Sequence, residues 1–387
     1  MFGKRLWGRW LAGSLCTSVL LLTGCGDFFT KDTGGGGGGG GGGTVGSYTY
    51  VGTQSGLLAG YSVSSTGALA TLSGSPFQFS TAAINALAVT PANTFLYAAV
   101  AGIGIFGSSI NSSTGVTTLL NSSALVEDVA PLALTIDPSG QFLLVAGLAN
   151  GVAAVGEYAI NSDGTLSEVT GSPVTIAFPT NTDTTNLSVQ QIAVAPNSSW
   201  VFVTLGQLGV APLPFNTSGS LSPNTVIINP RTSAGILNQD LGLAVNASSS
   251  AFFVGETNAG VRVFTIGSSF TEISGSPFKA GSQPRSITFD GTGNYLYVAN
   301  GSDGTISGYS VLASGSLTAL TGSPFSAVGS GPFAVALDQS KKFLLSANLG
   351  RSPDVQLFSF DATTAGKIDP GATATNAASA DAIASTH

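Results

Sequence analysis

Proton transfer, nucleophilic attack and metal binding draw on His, Cys, Asp, Glu, Lys and Arg, and this chain holds few of them. Charged residues are 8% of 387, against about 25% in an ordinary soluble protein. The single His is His387, the last residue given. A Ser-His-Asp triad and a His-ligated zinc site both need a His inside the fold, so both are excluded. No acidic cluster has the spacing of a metal-binding loop, and no metal or other cofactor is expected. What remains is a scatter of polar residues just before short apolar strings. They are Glu127 and Asp128, Gln190 and Gln191, Gln239 and Asp240, and Arg285, with Arg231 in a long loop nearby. Glu256, after Phe252-Phe253-Val254, is a further carboxylate, buried by pattern. If those strings are strands converging on one axis, these side chains form a polar ring that can bind a small ligand. The same residue types also serve as solvated loop positions and turn caps.

The charge balance narrows the ligand. From residue 44 on, 8 Lys and Arg stand against 17 Asp and Glu, a net of −9. Phosphate recognition favours clustered Arg, and nucleic-acid binding needs a basic stripe. Neither is present, so nucleic acid and phosphorylated substrates are disfavoured.

The first 24 residues have the form of a secretion signal. Lys4, Arg5 and Arg9 precede an apolar run, Leu11 to Leu22, and such a segment is removed rather than folded. At about 12 residues the run is too short to span a membrane, which takes about 20. Leu22-Thr23-Gly24-Cys25 resembles the lipobox of bacterial lipoproteins. That resemblance implies diacylglycerol on the Cys25 thiol and Cys25 as the mature N-terminus. Cys16 is lost with the signal, leaving no thiol for a disulfide or a nucleophile. Ten consecutive glycines, Gly34 to Gly43, have no side chains to bury and form a flexible spacer spanning about 17 Å. The expected organisation is a signal over 1–24, a lipidated tether over 25–46 and a folded domain over 47–387. The expected address is the cell envelope, in the outer membrane facing the periplasm or on the cell surface, with the membrane as partner through Cys25.

The elements that would position the polar ring repeat along the chain. Tyr50-Val51-Gly52-Thr53 matches Tyr297-Val298-Ala299-Asn300, and Gly60-Tyr61-Ser62-Val63 matches Gly308-Tyr309-Ser310-Val311. A Gly-Ser-Pro corner recurs at 74–76, 171–173, 275–277 and 322–324. Aromatic or apolar strings centre on Tyr50, Tyr97, Leu144, Phe202, Phe253, Tyr297 and Leu345. Seven copies at a period of about 50 predict an all-β, seven-bladed β-propeller with four-stranded antiparallel blades. Radial sheets bury both faces, which is why the strands carry so few charges. The N-terminal copy lacks a first strand. The C-terminal string Asp381 to Thr386 is expected to supply it by pairing with 47–52, closing the ring with both termini in one blade. In the other copies the positions that open the first strand include Asn85, Leu132, Leu241 and Phe333, so the ring is partly apolar.

The Tyr-Val-Ala-Asn and Tyr-Val-Gly-Thr strings resemble the YVTN repeat, and the whole of 47–387 resembles the lactonase-type seven-bladed propellers, including 6-phosphogluconolactonase-like and muconate-lactonising proteins. The resemblance implies a fold and, as one option, lactone hydrolysis. Muconate-lactonising relatives use a His, Arg and Glu set in the channel mouth. No internal His matches it here, so no catalytic residue carries over, and a carboxylate-only calcium site as in other propeller lactonases stays open. The leading expectation is a monomeric, lipid-anchored, non-catalytic module that binds an envelope protein, a glycan or a small molecule. The alternative is a lactonase.

Overall fold

The computed structural model describes residues 47–387 except 234, 330, 351 and 376. The signal, Cys25 and the glycine spacer lie outside the described residues. The described residues form one compact unit.

Every blade is built outward from an inner strand. The seven inner strands are Ala380–Ser385, Ile84–Val89, Ala130–Ile136, Leu187–Val194, Asp240–Val245, Pro284–Phe289 and Pro332–Leu337. Each pairs antiparallel with the next strand out, which begins with the aromatic or apolar string read from the sequence. The second strands Tyr48–Thr53, Ala251–Glu256 and Phe343–Asn348 are buried at every residue. Both of their faces meet neighbouring blades, so β-branched and aromatic residues fill both sides rather than alternating with polar ones.

The core is divided accordingly into seven hydrophobic clusters, one at each blade boundary. Tyr50 and Leu58 of the first blade pack with Leu96 and Phe106 of the second. Phe202 and Val210 of the fourth pack with Phe252 and Phe264 of the fifth, where the Phe202 and Phe252 rings stack at 4.4 Å. The last boundary joins Leu345 and Leu357 of the seventh blade to Val51 and Tyr61 of the first. Hydroxyl latches reinforce three boundaries. Tyr50, Tyr97 and Tyr297 donate to the carbonyls of Gly115, Gly164 and Gly366 in the next blade, at 2.6, 2.8 and 2.6 Å.

The first blade takes its inner strand from the C-terminus. Ala380–Ser385 pairs with Thr49–Thr53, the Thr386 N–H donates to the Tyr48 carbonyl, and the Tyr48 N–H donates to the Thr386 hydroxyl oxygen. The strand begins one residue before the position read from the sequence. His387 docks on the turn of the second blade through Asn93 and the Val89 carbonyl.

Outer strands are shorter than a regular four-strand plan. At 74–76, 171–173 and 322–324 the Gly-Ser-Pro corner splits the outer strand in two, as in Leu69–Thr71 and Phe77–Gln78. The corner serine fills the gap. Ser75, Ser172 and Ser323 accept the third-strand N–H of Gly60, Glu157 and Gly308 at 2.8 to 2.9 Å, and Ser276 accepts that of Val263 at 3.1 Å. The fourth blade has no outer strand among the described residues, only a bridge from Val210 to Ile228. Its third strand, Val210–Pro214, contains Pro212 and Pro214, and two prolines remove two ladder donors.

Candidate functional site at the channel mouth

The seven inner strands surround the axial channel that a propeller leaves open, and all seven break register near their first residues. Single residues are skipped at Asp381, Asn85, Leu132, Arg285 and Phe333. Longer skips cover 188–190 and 241–242. A bulge places two residues opposite one and re-aims a side chain, and here it recurs at one end of every blade. The bulge residues therefore form a ring at the channel mouth. In blade order it reads Asp381, Asn85, Leu132, Gln190, Leu241 with Gly242, Arg285 and Phe333.

Two members carry charge. Arg285 is half-buried, and its guanidinium carbon lies 4.6 Å from the centre of the Phe333 ring. Its Nε and Nη2 donate to Gln283 Oε1 at 3.3 and 3.2 Å. Burial lowers its pKa. Asp381 is also half-buried, and its Oδ1 is shut away from water with no hydrogen-bond partner. Burial pushes its carboxyl up to about 7, against its own backbone N–H, which works to lower it. A carboxylate that titrates near neutrality is a candidate general base, and a desolvated guanidinium is a candidate stabiliser of developing negative charge.

The residues expected from the sequence divide among the ring, the inner strands and the loops. Gln190 and Arg285 sit on bulges. Asn85, another bulge residue, donates to the Pro131 carbonyl of the next blade at 3.0 Å. Gln191 joins two blades, since its Oε1 accepts the Leu243 N–H at 2.8 Å. Glu127, Asp128 and Gln239 are exposed in loops, and Asp128 accepts the Tyr158 hydroxyl at 2.7 Å. Arg231 is exposed and pairs with Glu272 at 2.8 Å.

Asp240 does not open into the channel. It is fully buried, opposite Glu256 in the strand register, and Glu256 is fully buried too. Burial first, then the Glu256 charge, holds the Asp240 carboxyl well above the usual carboxylate range. Glu256 accepts from Arg262 Nη1 at 2.8 Å, from Asn238 at 2.8 Å and from the Arg231 N–H at 3.1 Å. The pair and its partners tie Asn238 and the Arg231 backbone to the fifth blade, and Arg262 also reaches Glu272 at 3.0 Å. This network braces this corner of the mouth.

Sequence reasoning placed Asp381 on the closing strand and missed it as a site residue. The signal was available: aligning Ala380-Asp381-Ala382 with Ile84-Asn85-Ala86 puts Asp381 on the bulge. Among the described residues no group of three His, Cys, Asp or Glu side chains converges to hold a metal.

A family model described as "Lactonase, 7-bladed beta-propeller" matches residues 43–382. No curated protein matches the sequence. Several solved structures share the fold. One from Bacteroides fragilis, provisionally described as a 6-phosphogluconolactonase, is 17% identical with a TM-score of 0.67, over 89% of this chain and 98% of that one. The periplasmic gluconolactonase of Pseudomonas aeruginosa is 17% identical with a TM-score of 0.62, over 88% of this chain and 99% of that one. A protein from Lactobacillus plantarum is 18% identical with a TM-score of 0.65, over 88% of this chain and 100% of that one.

Proposed function

The chain belongs to the lactonase family of seven-bladed β-propellers, and from that premise we propose that it hydrolyses lactones at the channel mouth. The observation that carries this reading is Asp381, a carboxyl held near neutrality on the same ring of bulges as Arg285. The sequence alone favoured a binding module because of the tether, the lack of an internal His and the sparse charges; Asp381 supplies a candidate base.

The chemistry balances with these two groups. Ionised Asp381 takes a proton from water as the oxygen attacks the lactone carbonyl. The carbonyl oxygen becomes an oxyanion, and Arg285 stabilises it with N–H groups that Gln283 leaves free. Collapse breaks the ring C–O bond. The leaving alkoxide recovers the proton from Asp381, giving an open hydroxy acid. The net charge of −9 from residue 44 on and the single Arg on the ring favour unphosphorylated lactones. A panel of unphosphorylated sugar lactones and simple γ- and δ-lactones tests the reading. Turnover by the wild type, cut about 100-fold or more by Arg285→Gln, supports it. An inactive wild type on the whole panel contradicts it.

The same proposal places the enzyme outside the cytosol, on a membrane through Cys25 and the glycine spacer. The motif Leu22-Thr23-Gly24-Cys25 supports this, because an acylated Cys with further chains anchors firmly. Cys25→Ser is expected to move the protein from the membrane to the soluble fraction. Unchanged fractionation counts against the anchor.

A further inference from the structure

Arg285, Phe333 and Asp381 occupy the bulges of three successive blades, with Phe333 between the two charged residues. An Arg and an Asp whose side chains can reach one another in one channel pair, neutralising both base and cation. In this structure they do not pair. The Arg285 guanidinium lies over the Phe333 ring at 4.6 Å and gives Nε and Nη2 to Gln283. Its stem lies close against Gly301, where a Cβ would stand 2.8 Å from Arg285 Cδ. Asp381 Oδ1 is left without a partner.

We propose that Phe333 is a positioning residue that keeps Arg285 and Asp381 apart, so that the channel holds a separated base and cation rather than an ion pair. The aromatic face attracts the guanidinium and turns it away from Asp381, while the bulk of the ring fills the intervening bulge. The electrostatics fit this arrangement. The rise of Asp381 comes from burial and is opposed only by its own backbone N–H, and the fall of Arg285 comes from burial. Neither shift has a contribution from the other residue. The lactone carbonyl then enters between two groups that need no rearrangement before reaction. The catalytic consequence rests on the lactonase reading, but the charge separation does not.

The test reads the Asp381 carboxyl directly. The purified protein is labelled at aspartate Cγ, and the Asp381 signal is assigned by its loss in Asp381→Asn and titrated by NMR. In Phe333→Leu the released Arg285 pairs with Asp381, so the midpoint falls by at least one pH unit. Phe333→Tyr keeps an aromatic face and keeps the wild-type midpoint. Phe333→Leu combined with Arg285→Gln restores a high midpoint, because the partner is gone. Phe333→Met repeats the measurement in a second background. A midpoint unmoved in both Phe333→Leu and Phe333→Met overturns the proposal. So does a fall that persists without Arg285. If the titrations come out as expected while the wild type hydrolyses no lactone, the lactonase reading fails and the wedge stands.

Discussion

Most carboxylates of this protein are committed to structure. Asp137, Asp290 and Asp338 each accept backbone N–H groups of the turn that follows them. Asp361 accepts from Thr363, Thr364 and Lys367, which hold it far below the usual range. Among the described residues Asp381 has no such donor apart from its own backbone, and this sets its cost. Its folded pKa of about 7 lies above the ordinary aspartate value of 3.8. The protonated form is therefore the one that folding favours. Stability is greatest below the unfolded pKa and is lost as pH rises through about 7. Asp381→Asn removes that loss. Its Tm is expected to match wild type near pH 4 and to exceed it by about 3 °C at pH 8, read by calorimetry across that range. A difference independent of pH contradicts the assignment. Arg285 was legible before the structure, because it precedes an apolar string. Asp381 was not, because burial, which makes the group useful, leaves no mark in composition.

At the scale of elements, periodicity found the second strands and the Gly-Ser-Pro corners, since a repeated motif fixes a repeated position. It did not find the inner-strand bulges, which appear only when one strand is laid against its partner. Nor did it find the missing outer strand of the fourth blade, although Pro212 and Pro214 show why that edge cannot continue a ladder. The most consequential element is the strand Ala380–Ser385. It supplies the inner edge of the first blade and carries Asp381. Its removal strands the ladder donors of Thr49–Thr53 and opens the inner ring, while each unmade buried hydrogen bond costs about 1–3 kcal/mol. Deleting 380–387 is expected to lower Tm by at least ~10 °C and to abolish lactone turnover. A deletion that melts like wild type refutes closure by this strand.

Over the whole molecule, sparse charge and high apolar content have one cause. Seven blade boundaries each need apolar faces on both sides, leaving polar residues to the turns, the loops and the channel mouth. The fold class followed from the seven-copy repeat alone, but the functional site did not, because it is assembled from residues about 50 to 300 positions apart. In blade order, Arg285, Phe333 and Asp381 come together only once the ring is closed. The most direct measurement of the central claim is the pH dependence of kcat/KM for lactone hydrolysis by wild type and Asp381→Asn. The account predicts a wild-type rate that rises as pH increases through about 7 and then levels. It predicts a substituted enzyme slower by about 100-fold or more that has lost this limb. Equal activity in Asp381→Asn, or a wild-type profile with no rise near neutrality, contradicts it.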